Sequence, residues 1–105
     1  MTTFNNREKA AEAKFSHDQE AAFKRMARRN KLLGLWAAEK LGKTGDDAAA
    51  YAKEVVAADF EEAGDADVLR KVLTDLAGKG VSEADVRKKM DELVAVAVTQ
   101  IKAGL

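Results

Sequence analysis

The run Arg28-Arg29-Asn30-Lys31-Leu32-Leu33-Gly34-Leu35-Trp36-Ala37-Ala38-Glu39-Lys40-Leu41-Gly42 decides how this chain folds. It carries the single tryptophan and the densest apolar stretch of the first half of the sequence. A basic cluster leads into it and Gly42 closes it. Leu33 and Trp36 stand three residues apart, which places them on one face of a helix. The run reads as the second half of a long helix over about residues 17–41, with its buried face around Leu33 and Trp36. Phe23, Met26 and Leu33 recur at helical spacing, with Asn30 between them, and Ala22 and Leu32 widen the apolar surface. Arg25, Arg28, Arg29 and Lys31 are expected to stay solvated. Gly42 suits a left-handed C-cap. Gly34, inside the pattern, costs about 1 kcal/mol against alanine, a cost that a close helix crossing would explain.

Downstream of this run lie three shorter helical patterns. Thr44 is placed to cap the second, with Asp46 and Asp47 at the positive end of its dipole. Ala48, Ala52, Val55, Val56 and Phe60 form its inner face, with Tyr51 at the edge, and Gly64 ends it. Asp65 is read as the cap of the third helix, whose stripe is Val68, Leu69, Val72, Leu73 and Leu76. Gly78 and Gly80 break that helix, and Ser82 with Asp85 forms a near-capping box for the fourth. Val86, Met90, Leu93, Val94, Ala97, Val98 and Ile101 point inward there. The predicted body is thus helices at about 17–41, 45–63, 65–77 and 82–103. Short links between amphipathic helices predict an all-α, antiparallel four-helix bundle. The absence of proline permits long helices, and 105 residues suffice for one core only.

Upstream, residues 1–16 form an arm. Thr3 with Asn6, or Asn5 with Glu8 in a capping box, offers a helix start, and Phe4, Ala11 and Phe15 share one side of a helix. That stripe is too thin to hold a helix alone, so the arm is expected to be flexible or marginally helical and to order on a partner. Charge divides the chain in the same way. Residues 1–31 carry eight Lys/Arg against four Asp/Glu, and the remainder has the opposite bias, although the total is zero.

Several chemistries find little support. Without cysteine there is no disulfide, thiol nucleophile or thiolate metal site. Gly42-Lys43-Thr44 copies the tail of a phosphate loop, but Ala37 stands where its first glycine belongs, and a helix precedes it instead of a strand. His17 and Glu20 share a helix turn without further ligands, so no metal site is predicted; an exposed His17 leaves a pH-sensing role open. Asp65-Ala66-Asp67 begins like a calcium loop, but Arg70 and Leu76 occupy the positions of its glycine and closing glutamate. No catalytic constellation emerges and no cofactor is expected. Arg25, Arg28, Arg29 and Lys31 are either a solvated face or a contact for a protein or nucleotide anion, the latter a weak regulatory site. No nucleic-acid recognition motif accompanies them. No apolar run approaches a membrane span, and no secretion signal opens the sequence, which fits a cytoplasmic-type compartment.

Phe4-Asn5-Asn6-Arg7-Glu8-Lys9-Ala10, Glu12-Ala13-Lys14-Phe15, the run Ala27 to Gly42, Tyr51-Ala52-Lys53-Glu54-Val55-Val56 and Ala58-Asp59-Phe60-Glu61-Glu62-Ala63-Gly64 together resemble the zeta subunit family of the alphaproteobacterial F-type ATP synthase, inhibitors of ATP hydrolysis. The likeness extends over nearly the whole chain. It implies a four-helix bundle that is not an enzyme, and a mobile N-terminal segment that enters a catalytic α/β interface of the synthase head, with γ a further contact. It also implies a cytoplasmic location, peripheral to the inner membrane when bound and without insertion into it, and a monomer when free. On that reading Phe4 and Phe15 anchor the arm, and Arg7, Lys9 and Lys14 steer it by charge. Asn5, Glu8, Ala11 and His17 complete the arm's contact set. The competing readings are an anion- or nucleotide-binding regulatory bundle and a structural adaptor.

Overall fold

A computed structural model of the chain describes residues 2–59 and 65–104, with side chains from residue 21 onward. Four helices make up the described residues: α1 (Thr2–Lys40), α2 (Gly45–Ala58), α3 (Ala66–Asp75) and α4 (Glu83–Lys102). The three shorter helices pack on α1, and α3 also packs on α2 and α4. α1 is continuous from Thr2, ahead of the predicted starts at Thr3 and Asn5 and through the predicted start of the body at residue 17, so arm and body share one helix. α2 stops at Ala58, with Asp59 as its C-cap; the predicted inner residue Phe60 and the stop at Gly64 lie outside the described residues.

Local signals set most helix ends. Gly42 adopts φ +76°, the left-handed conformation that only glycine takes without strain. Its neighbour Lys43 donates its backbone N–H to the Ala38 carbonyl at 2.9 Å, satisfying a carbonyl at the end of α1. Ser82 and Asp85 make a full reciprocal box, each side chain accepting the other's backbone N–H at 3.1 Å. Those bonds hold the Asp85 carboxyl below the usual carboxylate range. A depressed folded-state pKa contributes stability above the unfolded value of about 4, and that contribution disappears as pH falls through the folded value. Asp85→Asn should therefore flatten the acid limb of a urea-melt stability profile below about pH 4. Two predicted caps differ. Thr44 occupies the N-cap position of α2 in extended conformation, but its side chain makes no capping bond. Asp65 is helical in conformation and makes no capping bond either, because its carboxylate is drawn to α1.

Among the described side chains of α1, the buried residues are Arg29, Asn30, Leu33, Gly34, Ala37 and Ala38, two adjacent positions repeating every four. This phase differs from the Phe23–Met26–Leu33 stripe predicted from spacing. Met26 is half-buried and Phe23 is 56% exposed. The stripe follows the i+4 ridge because small residues on that ridge admit α2 closely. A Cβ at Gly34 would stand 2.6 Å from Ala52 Cα, which accounts for glycine at this helix-interior position. Leu33, Tyr51, Val55, Val68, Val72, Leu76, Val86 and Met90 complete the core. Trp36 is half-buried against it, with the ammonium groups of Lys40 and Lys89 5.6 and 5.8 Å from its ring centroid.

Tyr51, read from sequence as an edge residue, is buried. Its hydroxyl donates to Asp75 Oδ2 at 2.9 Å, and Lys71 bridges the same carboxylate at 3.1 Å while lying over the Tyr51 ring. Burial and this carboxylate push the phenol pKa up, so Tyr51 remains a donor and ties α2 to α3. Leu93 packs against the core but is only partly buried. Leu93→Ala should therefore cost about 1–2 kcal/mol in denaturant melts, below the 2–5 kcal/mol of a fully enclosed leucine.

Candidate partner-binding surface

α1 has 39 residues and α4, the next longest helix, has 20. At 1.5 Å per residue these are about 58 and 30 Å long. The C-terminal end of α4 reaches α1 near Phe23 and Arg28. Arg28 Nη1 donates to Gln100 Oε1 at 3.2 Å, and Ile101 and Gly104 line a cavity with Phe23 and Lys24. The principal extents of 64 × 26 × 21 Å follow from this geometry: α1 runs on beyond the end of α4. Residues 2–20 thus form a helical extension that the described part of the bundle does not flank. Phe4, Asn5, Arg7, Glu8, Lys9, Ala11, Lys14, Phe15 and His17 all lie on this extension.

The basic cluster does not form one solvated face. Arg25 and Lys31 are exposed, Arg28 is half-buried, and Arg29 is only 2% exposed. Arg29 Nη2 meets Asp65 Oδ1 at 2.7 Å, and its Nε donates to Asn30 Oδ1 at 2.8 Å. The expectation of a solvated Arg29 is therefore corrected. Its guanidinium joins α1 to the start of α3, and Asp65 supplies the carboxylate instead of a helix cap. The physical reason is position: Arg29 lies four residues before Leu33 and eight before Ala37, on the buried ridge. A guanidinium buried there needs a carboxylate partner, and Asp65, 53% exposed, keeps much of its own hydration. Asn30 is fully buried beside it, and its Nδ2 has no hydrogen-bond partner. Sequence reading had placed Asn30 on the inner face but gave no sign of its bond to Arg29. The spacing 29–33–37 was the one available signal for Arg29.

Sequence reading also missed an exposed apolar surface beside the cluster. Leu35 is 37% exposed and, with Ala52 and Val56 of α2, floors a groove of about 550 Å³. Among the described residues no helix is long and apolar enough to cross a membrane.

The profile of the ATPase inhibitor subunit zeta family matches residues 1–100, which takes in both the helical extension and the bundle. The chain belongs to that family. A solution NMR structure of a protein 64% identical in sequence matches this fold with a TM-score of 0.74, over 79% of this chain and 96% of that one. No curated relative matches the sequence. As a member of this family the chain is a regulatory, non-catalytic subunit that associates with the ATP synthase and inhibits it.

Proposed function

We propose that residues 1–16 are the inhibitory element and that they enter a catalytic α/β interface of the synthase head, where they wedge the rotor against turning in the hydrolysis direction. The observation that carries this reading is the overshoot of α1: with a helix of 39 residues beside one of 20, no helix among the described residues flanks the arm. A helix with a thin apolar stripe is marginal in water and gains its stability by burying that stripe against a partner. Phe4 and Phe15 supply the burial, Asn5 and Glu8 polar contacts, and Arg7, Lys9 and Lys14 the electrostatic steering. Ala11 keeps the stripe narrow, and His17 stands where the arm meets the body. Contacts with γ would lie deeper in the same cleft. The free protein acts as a single copy in the cytoplasm and becomes peripheral to the inner membrane on binding the synthase.

The test is steady-state ATP hydrolysis by purified synthase heads titrated with full-length chain and with chain lacking residues 1–16. The full-length chain should inhibit to completion and the shortened chain should not. The thermal midpoint of the shortened chain should match that of the full chain, because among the described side chains the buried positions of α1 begin at Arg29. Equal inhibition by the two proteins would transfer the inhibitory role to the body.

A further inference from the structure

Two cavities adjoin on the α1–α2 face. One, of about 550 Å³, is floored by Leu35, Ala52 and Val56 and flanked by Lys31 and Lys53. The other, of about 500 Å³, shares Lys31 and Val56 and continues to Phe23 and Ile101 beside Lys24. No acidic residue lines either cavity, although the chain has as many acidic as basic residues. Lys24, Lys31 and Lys53 form no ion pair among the described residues. Together they give one apolar trough with a cationic rim, running from Phe23 to Leu35.

We infer that this trough docks an acidic amphipathic helix of the partner, a second point of attachment separate from the arm. The floor spans twelve residue steps of α1, from Phe23 to Leu35, or about 18 Å, the length of roughly three helical turns. An apolar stripe at i, i+3, i+4 and i+7 would lie on Leu35, Val56 and Ile101, and carboxylates beside that stripe would meet the three lysines. Three other occupants fit less well. A second copy in a two-fold dimer would bring the same lysines face to face. The chain's own arm belongs to the same continuous helix and carries three basic residues against two glutamates within residues 1–16. A lipid surface prefers a broad protruding apolar face, whereas here most of the floor, Leu35, Ala52 and Val56, lies in the groove between α1 and α2. The inference rests on the reading above only in assigning the acidic helix to the synthase. Two attachment points would raise the effective concentration of the arm at its cleft.

The test uses the full chain and purified synthase heads, with direct binding as the readout. The double variant Lys31→Glu, Lys53→Glu should bind the heads at least tenfold more weakly, and Lys31→Arg, Lys53→Arg should bind like the parent chain. Both lysines are exposed, and circular dichroism melts check that each variant is folded. A benzophenone side chain placed at position 35 should crosslink to an acidic helical segment of the head, which peptide mapping identifies. That crosslink decides the matter if the charge-reversed variant proves unstable. Parent-like binding by a folded charge-reversed variant overturns the inference. So does a crosslink to a second copy of the chain, one to vesicles of phosphatidylcholine and phosphatidylglycerol in the absence of heads, or none at all. Phe4→Ala with Phe15→Ala, run in parallel, separates the two readings. Its loss of inhibition tests the arm, whereas the glutamate pair and the crosslink test the trough.

Discussion

Replacing Phe4 and Phe15 together with alanine should raise the concentration of chain needed for half-maximal inhibition of ATP hydrolysis by two orders of magnitude or more. Ordering the arm on its partner costs several kcal/mol, and only well-buried anchors can offset that. The arm offers few. Between Thr2 and Ser16 the large apolar side chains are Phe4 and Phe15 alone, and the rest are alanines, charges and small polar groups. Aromatic anchors of this kind commonly cost about 2 kcal/mol or more each on truncation, and every 1.4 kcal/mol is tenfold in affinity. The thermal midpoint should stay within a degree or two of the parent, since both residues lie on the extension of α1, before the end of α4 reaches it near Phe23. A single Arg7→Ala change should act differently, slowing association and weakening the salt dependence more than it alters the endpoint. If the double variant inhibits as well as the parent chain, the aromatic residues are not the anchors, and binding must come from the arm's polar groups or from the body.

Gly34→Val should be the most damaging single substitution in the body, lowering stability by about 3 kcal/mol or more. Two effects oppose each other at this position, and their magnitudes decide the sign. Removing a glycine from a helix interior gains about 1 kcal/mol where space is open. Here space is closed: the first added carbon would stand 2.6 Å from Ala52 Cα and 3.1 Å from its Cβ. Ala52 Cα is backbone and cannot rotate aside, so the α1–α2 crossing must widen. Widening strips contacts from Leu33, Ala37 and Val55, all fully buried. Gly34→Ala should already destabilise, by about 1–3 kcal/mol, and the valine methyls add to that. For a domain near this size, 3 kcal/mol lowers the thermal midpoint by about 12–24 °C. A raised midpoint for Gly34→Ala would show that the helices stand farther apart than their backbones here indicate.

The two substitutions report on different layers of the molecule. One removes side chains whose work is done on the partner, so stability should not register it. The other adds atoms at the closest approach of two helices, so inhibition should fall only through loss of the folded body. Measuring midpoint and inhibition on both variants therefore separates arm from bundle within one set of proteins.

Much of this protein could be read without coordinates, because the signals are local. A helix end is set by residues within about one turn of it. Gly42 at φ +76° and the Ser82–Asp85 box stand where their residue types predicted. The apolar stripes of α3 and α4 likewise made four helices legible, and the resemblance pointed to the family before any geometry was known. Gly34 showed that something must approach α1, though not that the neighbour is Ala52. Tertiary structure decided the rotation of α1. Spacing allowed Phe23, Met26 and Leu33 to share the inner face. The crossing of α2 selected the ridge through Arg29, Leu33 and Ala37 instead, turning Phe23 outward and a guanidinium inward. Asp65 is 36 residues from Arg29, and no periodicity relates them. The trough was hidden for the same reason: Val56 and Ile101 look like core positions in their own helices. They line an open groove where α1, α2 and α4 meet, and how packed helices meet is a property of all their contacts together, which no single stretch of sequence contains.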